Sequence, residues 1–244
     1  MLDKSSFIIY KDEPTTLSQI GVTQNKIVEI PNFLDADTCE KVISFFEAKD
    51  EMWGDIAFYG SSGMGISSED PKIVELGLPA NFFDALRERF AEAVEAVFDT
   101  PVRPNTSHAQ KWDVGGFASP HSDNSDFDGN PTSFEINKYV GILYLNDNYG
   151  GGDLYFSDRE DINTPKLSIS PKAGSYIVFP GGVENIHGVT EITSGTRYTM
   201  VSFWDFADAE YSEERKAQWE AEKEIVEREK EIAREEWAKG NKWA

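Results

Sequence analysis

This 244-residue sequence has only three histidines, His108, His121 and His187. His121 lies in PHSD, two residues before Asp123. If that segment is extended, period-two geometry puts both side chains on one face, where a ring nitrogen and a carboxylate oxygen reach the same ion. His187 sits in IHGVTEI, on a different predicted strand, and can supply a second imidazole from across the fold. Two imidazoles and a carboxylate on one side of a divalent iron leave three positions open for reactants. The HxD spacing alone is weak, because a lone strand histidine is more often packed than ligating. His108 begins a predicted strand with no paired acid near it and reads as structural.

Further residues sharpen the pattern. Arg197 follows His187 by ten residues, in HGVTEITSGTR, on the next predicted strand. A guanidinium there can hold a carboxylate through two parallel hydrogen bonds, which a lysine does less specifically. In YVGILYLND, Tyr144 shares a face with Val140 and Ile142, so its hydroxyl can join Arg197. SYIVFPGG, just before the His187 strand, is a turn arrangement that aims a ligand inward.

The elements that must position these groups fall into three zones. Residues 1–105 form a support region with two predicted helices. One opens near Asp37 and Glu40 and carries Cys39, Val42, Ile43 and Phe46 at helical spacing. The other is capped by Asn81, with Phe83, Leu86, Phe90, Val94 and Val97 on one face. Between them WGDIAFYGSSGMGISSED, from Trp53 to Asp70, is rich in glycine and serine and reads as a mobile loop that could cover a substrate. Residues 106–207 carry short strand-like runs (138–145, 153–156, 176–179, 186–192 and 196–206) separated by Gly150-Gly151-Gly152 and Pro180-Gly181-Gly182. That succession predicts an antiparallel sandwich or barrel, of which a jelly roll is one solution. Residues 208–244 read as a charged helix, with Trp219, Ile225, Val226, Ile232 and Ala233 forming a narrow seam. The seam packs on its own domain or, less simply, pairs two copies, so a monomer or a homodimer is expected.

The formal charge of −21 disfavours phosphate backbones and anionic membranes, so neither nucleic acid nor membrane is an expected partner. Basic or neutral partners fit better. Cys39 is the single cysteine, so no intramolecular disulfide can form. No apolar stretch has the length of a leader or a membrane span, and a cytoplasmic location is the expectation.

KWDVGGFASPHSD, GILYLND with YGGGDLYF, SPKAGSYIVFPGG and HGVTEITSGTRYTMVSFW together resemble the prolyl 4-hydroxylase-like branch of the iron(II)/2-oxoglutarate dioxygenases. The resemblance covers about residues 106–206. It implies a double-stranded β-helix that uses Fe(II), 2-oxoglutarate and O2, with ascorbate as a candidate reductant, and releases succinate and CO2. It implies that His121, Asp123 and His187 bind iron, that Arg197 and Tyr144 hold the distal carboxylate of 2-oxoglutarate, and that Thr199 adds a hydrogen bond. Trp112 stands where the family commonly has tyrosine and is assigned to the pocket wall with Val140, Ile142 and Phe203. The implied substrate is a prolyl residue in a peptide or protein. A free amino acid or small molecule is the alternative, and a non-catalytic jelly-roll binding module is a more distant one.

Overall fold

The computed structural model describes residues 2–56, 61–66, 70–222 and 228. Numbered in chain order, its strands form two packed sheets. The larger runs Ile8–Pro14 (β1), Gln24–Ile30 (β2), Tyr176–Pro180 (β11), Tyr139–Tyr144 (β7), Arg197–Phe206 (β14), Val102–Trp112 (β5), Ser61–Gly65 (β4) and Gly54–Ile56 (β3). The smaller runs Asp161–Ile169 (β10), Leu154–Asp158 (β9), Ile186–Val189 (β12) and Ala118–His121 (β6). Gly150–Gly151 (β8) pairs with Ile192–Ser194 (β13). The ladders are antiparallel, and the architecture is the expected jelly roll, without a closed barrel.

The central strand β7 explains how the layers hold together. All six of its residues are buried, which an alternating half-exposed strand would not allow. Val140, Ile142 and Tyr144 point between the sheets and pack with Leu154, Phe156 and Ile169 of the smaller one. Tyr139 and Leu143 point the other way, into a core shared with the helices Ala36–Glu47 (α1) and Phe82–Phe98 (α3). The period of two thus splits one apolar run between two cores.

Helix α3 buries Phe83, Leu86, Phe90, Val94 and Val97, the face its spacing predicts. Phe90 stacks on Phe33 at 5.7 Å and on Tyr176 at 4.6 Å, fixing the helix against β11. Each such ring contributes about 1.5–3 kcal/mol through burial. Asn81 holds the N-cap position but makes no side-chain cap hydrogen bond. The start of α1 differs from the expectation. Asp35 is the cap, extended at φ −74° and ψ 158°, and its carboxylate accepts the Thr38 amide at 2.9 Å. Asp37 already lies in the first turn, where it pairs with Lys41 at 2.7 Å.

The segment from Trp53 to Asp70 is not simply a loop. β3 and β4 form a hairpin on the sheet edge, and β4 pairs with β5 from Ser62↔Lys111 to Gly65↔His108. Met64, 3% exposed, anchors it in the helix-side core. Glycine and serine gave no local sign of this, because the pairing is supplied by the free edge of β5. Residues 57–60 and 67–69 lie outside the described residues. At the other end, residues 213–222 are helical. Trp219 packs on its own chain, against Tyr211 at 4.7 Å, with its indole N–H donating to Glu135 at 3.0 Å. Ile225, Val226, Ile232 and Ala233 of the predicted seam lie outside the described residues. Among the described residues no helix is long and apolar enough to cross a membrane.

Candidate metal centre and co-substrate pocket

His121 ends β6 and His187 lies in β12, and the two are direct cross-strand partners. That register brings their rings to 4.4 Å between centroids. Asp123, just past β6, is set by the Pro180-Gly181-Gly182 turn, where its amide donates to the Gly181 carbonyl at 2.8 Å. A side chain on residue 181 would come within 2.8 Å of the Asn137 carbonyl and 3.3 Å of the Asp123 Cβ, so glycine is needed for this close approach. The turn therefore aims the carboxylate rather than His187 alone.

The hydrogen bonds behind the rings fix their tautomers. His121 Nδ1 lies 2.8 Å from the Ser119 carbonyl, and His187 Nδ1 lies 2.9 Å from the Asn185 carbonyl. A carbonyl can only accept, so both Nδ1 atoms carry the proton and both Nε2 lone pairs face Asp123. The Nε2 atoms of His121 and His187 stand 3.7 and 3.4 Å from the carboxylate oxygens. Ligand atoms of the three residues lie within 4.8 Å of one another. Three electron-rich groups converging without a proton between them repel each other unless a cation sits among them. Asp123 Oδ2 is buried with no hydrogen-bond partner among the described residues, the orphan that a cation would satisfy. Burial pushes the Asp123 carboxyl up to about 6, partly opposed by His121 and His108, and holds His187 well below the usual imidazole range. The donor set, two imidazole nitrogens and a carboxylate oxygen, suits iron(II).

A second buried charge faces the same inter-sheet space. Arg197 is 1% exposed, and its Nε and Nη1 have no hydrogen-bond partner among the described residues. Its Nη2 donates to the Tyr144 hydroxyl at 3.1 Å, and its guanidinium lies 4.8 Å from the Tyr144 ring and 5.4 Å from Trp112. No ion pair among the described residues involves Arg197. A desolvated cation without a counter-charge costs several kcal/mol, so an anionic ligand fits here. Tyr149, not singled out from the sequence, also approaches the guanidinium; burial raises its pKa and Arg197 opposes that rise. Burial likewise pushes Tyr144 up to about 12, keeping it a neutral donor.

Thr199, on the same face of β14 as Arg197, hydrogen-bonds Gln110 at 3.4 Å. Val140 and Ile142 line the inter-sheet core, with Phe203 packed against it. Trp112 is buried beside the guanidinium. His108 needs correction. It lies within β5 rather than at its start, the charge of Asp123 reaches it, and Gln110 contacts its ring. The neighbouring acid is distant in sequence, so no local signal could have revealed it.

Residues 107–205 match the family model described as the 2OG-Fe(II) oxygenase superfamily. On that match the segment resembles that superfamily. The chain is similar to human prolyl 3-hydroxylase 3, 34% identical over 96 residues. Those residues are 39% of this chain but only 12% of the relative's length. The fold is shared with a prolyl hydroxylase from Trichoplax adhaerens in complex with a hypoxia inducible factor peptide fragment. There the TM-score is 0.52 and the identity 15%, covering 74% of this chain and 83% of the other. It is also shared with HygX of Streptomyces hygroscopicus, with nickel, 2-oxoglutarate and hygromycin B bound. That likeness has a TM-score of 0.51 and 17% identity, covering 75% and 83% of the two chains.

Proposed function

We propose that this chain is an Fe(II)- and 2-oxoglutarate-dependent dioxygenase that hydroxylates a prolyl residue in a peptide or protein. The observation that carries the reading is the pairing of two opposite, unsatisfied charges in one pocket: the Asp123 oxygen between two imidazole lone pairs, and the Arg197 guanidinium. His121, Asp123 and His187 would hold the iron. Arg197 and Tyr144 would grip the distal carboxylate of 2-oxoglutarate, with Thr199 at the same face. Bound iron, with 2-oxoglutarate and O2, supplies the oxidising power: one oxygen atom enters the substrate C–H bond and the other leaves in succinate, with release of CO2. The protein's own work is to orient both ligands, keep the imidazoles neutral and exclude water through the buried inter-sheet wall.

The choice of a prolyl substrate is supported by the prolyl 3-hydroxylase relatives and the peptide-bound neighbour of the same fold. The catalytic core in this reading is 106–207, supported by 1–105 and followed by the charged segment 208–244. The charge of −21 favours targets flanked by Lys or Arg, a cytoplasmic location is in keeping with the single buried cysteine, and ascorbate would serve as reductant. The test is aerobic turnover with a library of proline-rich peptides, reading succinate formation together with addition of one oxygen by mass spectrometry. Fragmentation assigns the hydroxylated carbon. Oxidation of free proline as readily as any peptide would replace the peptide by a small-molecule substrate. No succinate under any condition would leave a binding module.

A further inference from the structure

Trp112, Gln110 and His108, on the inner face of β5, form an ordered row that begins beside the Arg197 guanidinium and runs on to His108. Trp112, Gln110 and His108 pair across to Arg197, Thr199 and Val201 of β14, so by period two they share the pocket face. The Trp112 indole N–H donates to the Gln110 amide oxygen at 3.3 Å, and the Thr199 hydroxyl donates to the same oxygen at 3.4 Å. An indole N–H can only donate, which fixes the orientation of the Gln110 amide. Its NH2 group therefore faces His108 Nε2, 3.2 Å away, and that nitrogen must accept. The His108 proton is left on Nδ1, for which no hydrogen bond occurs among the described residues. Burial lowers the His108 pKa, consistent with a neutral ring that has one N–H to give.

Length separates His108 from the carboxylate clamp. Arg197 and Val201 are four residues apart on one strand, about 13–14 Å. A five-carbon dicarboxylate spans only about 7 Å with standard bond lengths. A co-substrate gripped by Arg197 thus spans about half of that strand length. What lies around His108 is different: the Asp123 charge reaches it, Phe203 stacks on it at 6.1 Å, and Gly65 of β4 is its cross-strand partner. A Cβ built on Gly65 would meet nothing within 4 Å, and Gly63 stands opposite Gln110. The two glycines leave the face of β4 beside His108 without side chains, where an extended segment could lie across the sheet. A prolyl residue has no amide hydrogen, so its backbone offers acceptors only, and a fixed N–H donor is the complement it requires.

Resting on the prolyl-peptide reading above, we propose that His108 is a substrate-positioning residue whose Nδ1–H, held by the Trp112–Gln110 pair, donates to a backbone carbonyl of the substrate peptide. The test uses the peptide from the proline-rich library on which the wild type adds oxygen fastest. His108→Ala should raise the KM for that peptide about three- to tenfold, the loss of one hydrogen bond. Its affinity for 2-oxoglutarate, measured by calorimetry on Mn(II)-loaded protein, should stay within about twofold. His108→Asn, which keeps an N–H near the Nδ1 position, should restore the peptide KM. Gln110→Glu offers Nε2 an acceptor, draws the proton away from Nδ1, and should match His108→Ala. A fall in 2-oxoglutarate affinity with an unchanged peptide KM would overturn the proposal and assign His108 to the co-substrate. Unchanged values of both would overturn it in favour of a packing role. Failure of the underlying reading shows earlier, in the wild type, as no oxygen added to any peptide, and would remove this inference with it.

Discussion

The two ends of the pocket carry opposite charges that the protein leaves uncompensated, but they are built differently. At the proposed metal end, the rings of His121 and His187 are held by backbone carbonyls and the Asp123 amide by the Gly181 turn, so the main chain positions the three residues. At the other end, Arg197 is held by aromatic faces and the phenols of Tyr144 and Tyr149, with Nε and Nη1 left over among the described residues. A cation site whose ligands are locked tolerates little rearrangement, because open positions and tautomers must both be right. A clamp seated on aromatic faces is specified mainly by its charge and hydrogen-bond count.

Removing His121 or His187 should break the metal end outright. Either alanine variant is expected to lose Fe(II) binding and succinate formation while retaining its thermal unfolding transition, measured by calorimetry on both forms. Normal turnover by either variant would end the assignment. At the opposite end, Arg197→Ala should weaken 2-oxoglutarate binding by about thirtyfold to several thousandfold, or on the order of 2–5 kcal/mol. Mn(II) titration of the same variant should match the wild type, and a 2-oxoglutarate constant left in place would take Arg197 out of the pocket.

The buried carboxylate makes a pH-dependent signature specific to the metal end. With its folded pKa raised from 3.8 to about 6 by burial, Asp123 binds its proton more tightly in the folded than in the unfolded chain. Its contribution to stability is therefore present below about pH 4 and lost as pH rises through about 6, a difference of roughly 3 kcal/mol at most. Denaturant titrations of the metal-free protein between pH 4 and 7 should show this loss against Asp123→Asn, which lacks it. Bound metal should suppress it; an identical profile for the two proteins would mean that Asp123 is not desolvated. The smallest effect expected is at Tyr144→Phe, which removes one neutral hydrogen-bonding group beside Arg197. It should weaken 2-oxoglutarate about two- to tenfold in the same calorimetry, and a loss as large as that of Arg197→Ala would show that the phenol, not the guanidinium, dominates the clamp.

Much of this was legible in the chain. The spacing of His121 and Asp123, the ten residues from His187 to Arg197, and the face shared by Tyr144 with Val140 and Ile142 are local facts of an extended backbone, and the strands preserve them. The apolar face of α3 was equally visible, because helical periodicity is written within one turn of the next. Other features came only with the tertiary structure. The Trp53–Asp70 segment contains a paired hairpin because β5 offers it an edge, and the cap of α1 moved to Asp35 because that residue is the last extended one. His108 looked solitary until the sheets brought Asp123 near it and Gln110 took up its ring nitrogen. Residue type and spacing determine which groups can share a face, since that depends on the backbone period. Which faces meet, and which buried charges remain without partners, depends on pairings between segments far apart in the chain, and no short stretch of sequence encodes those.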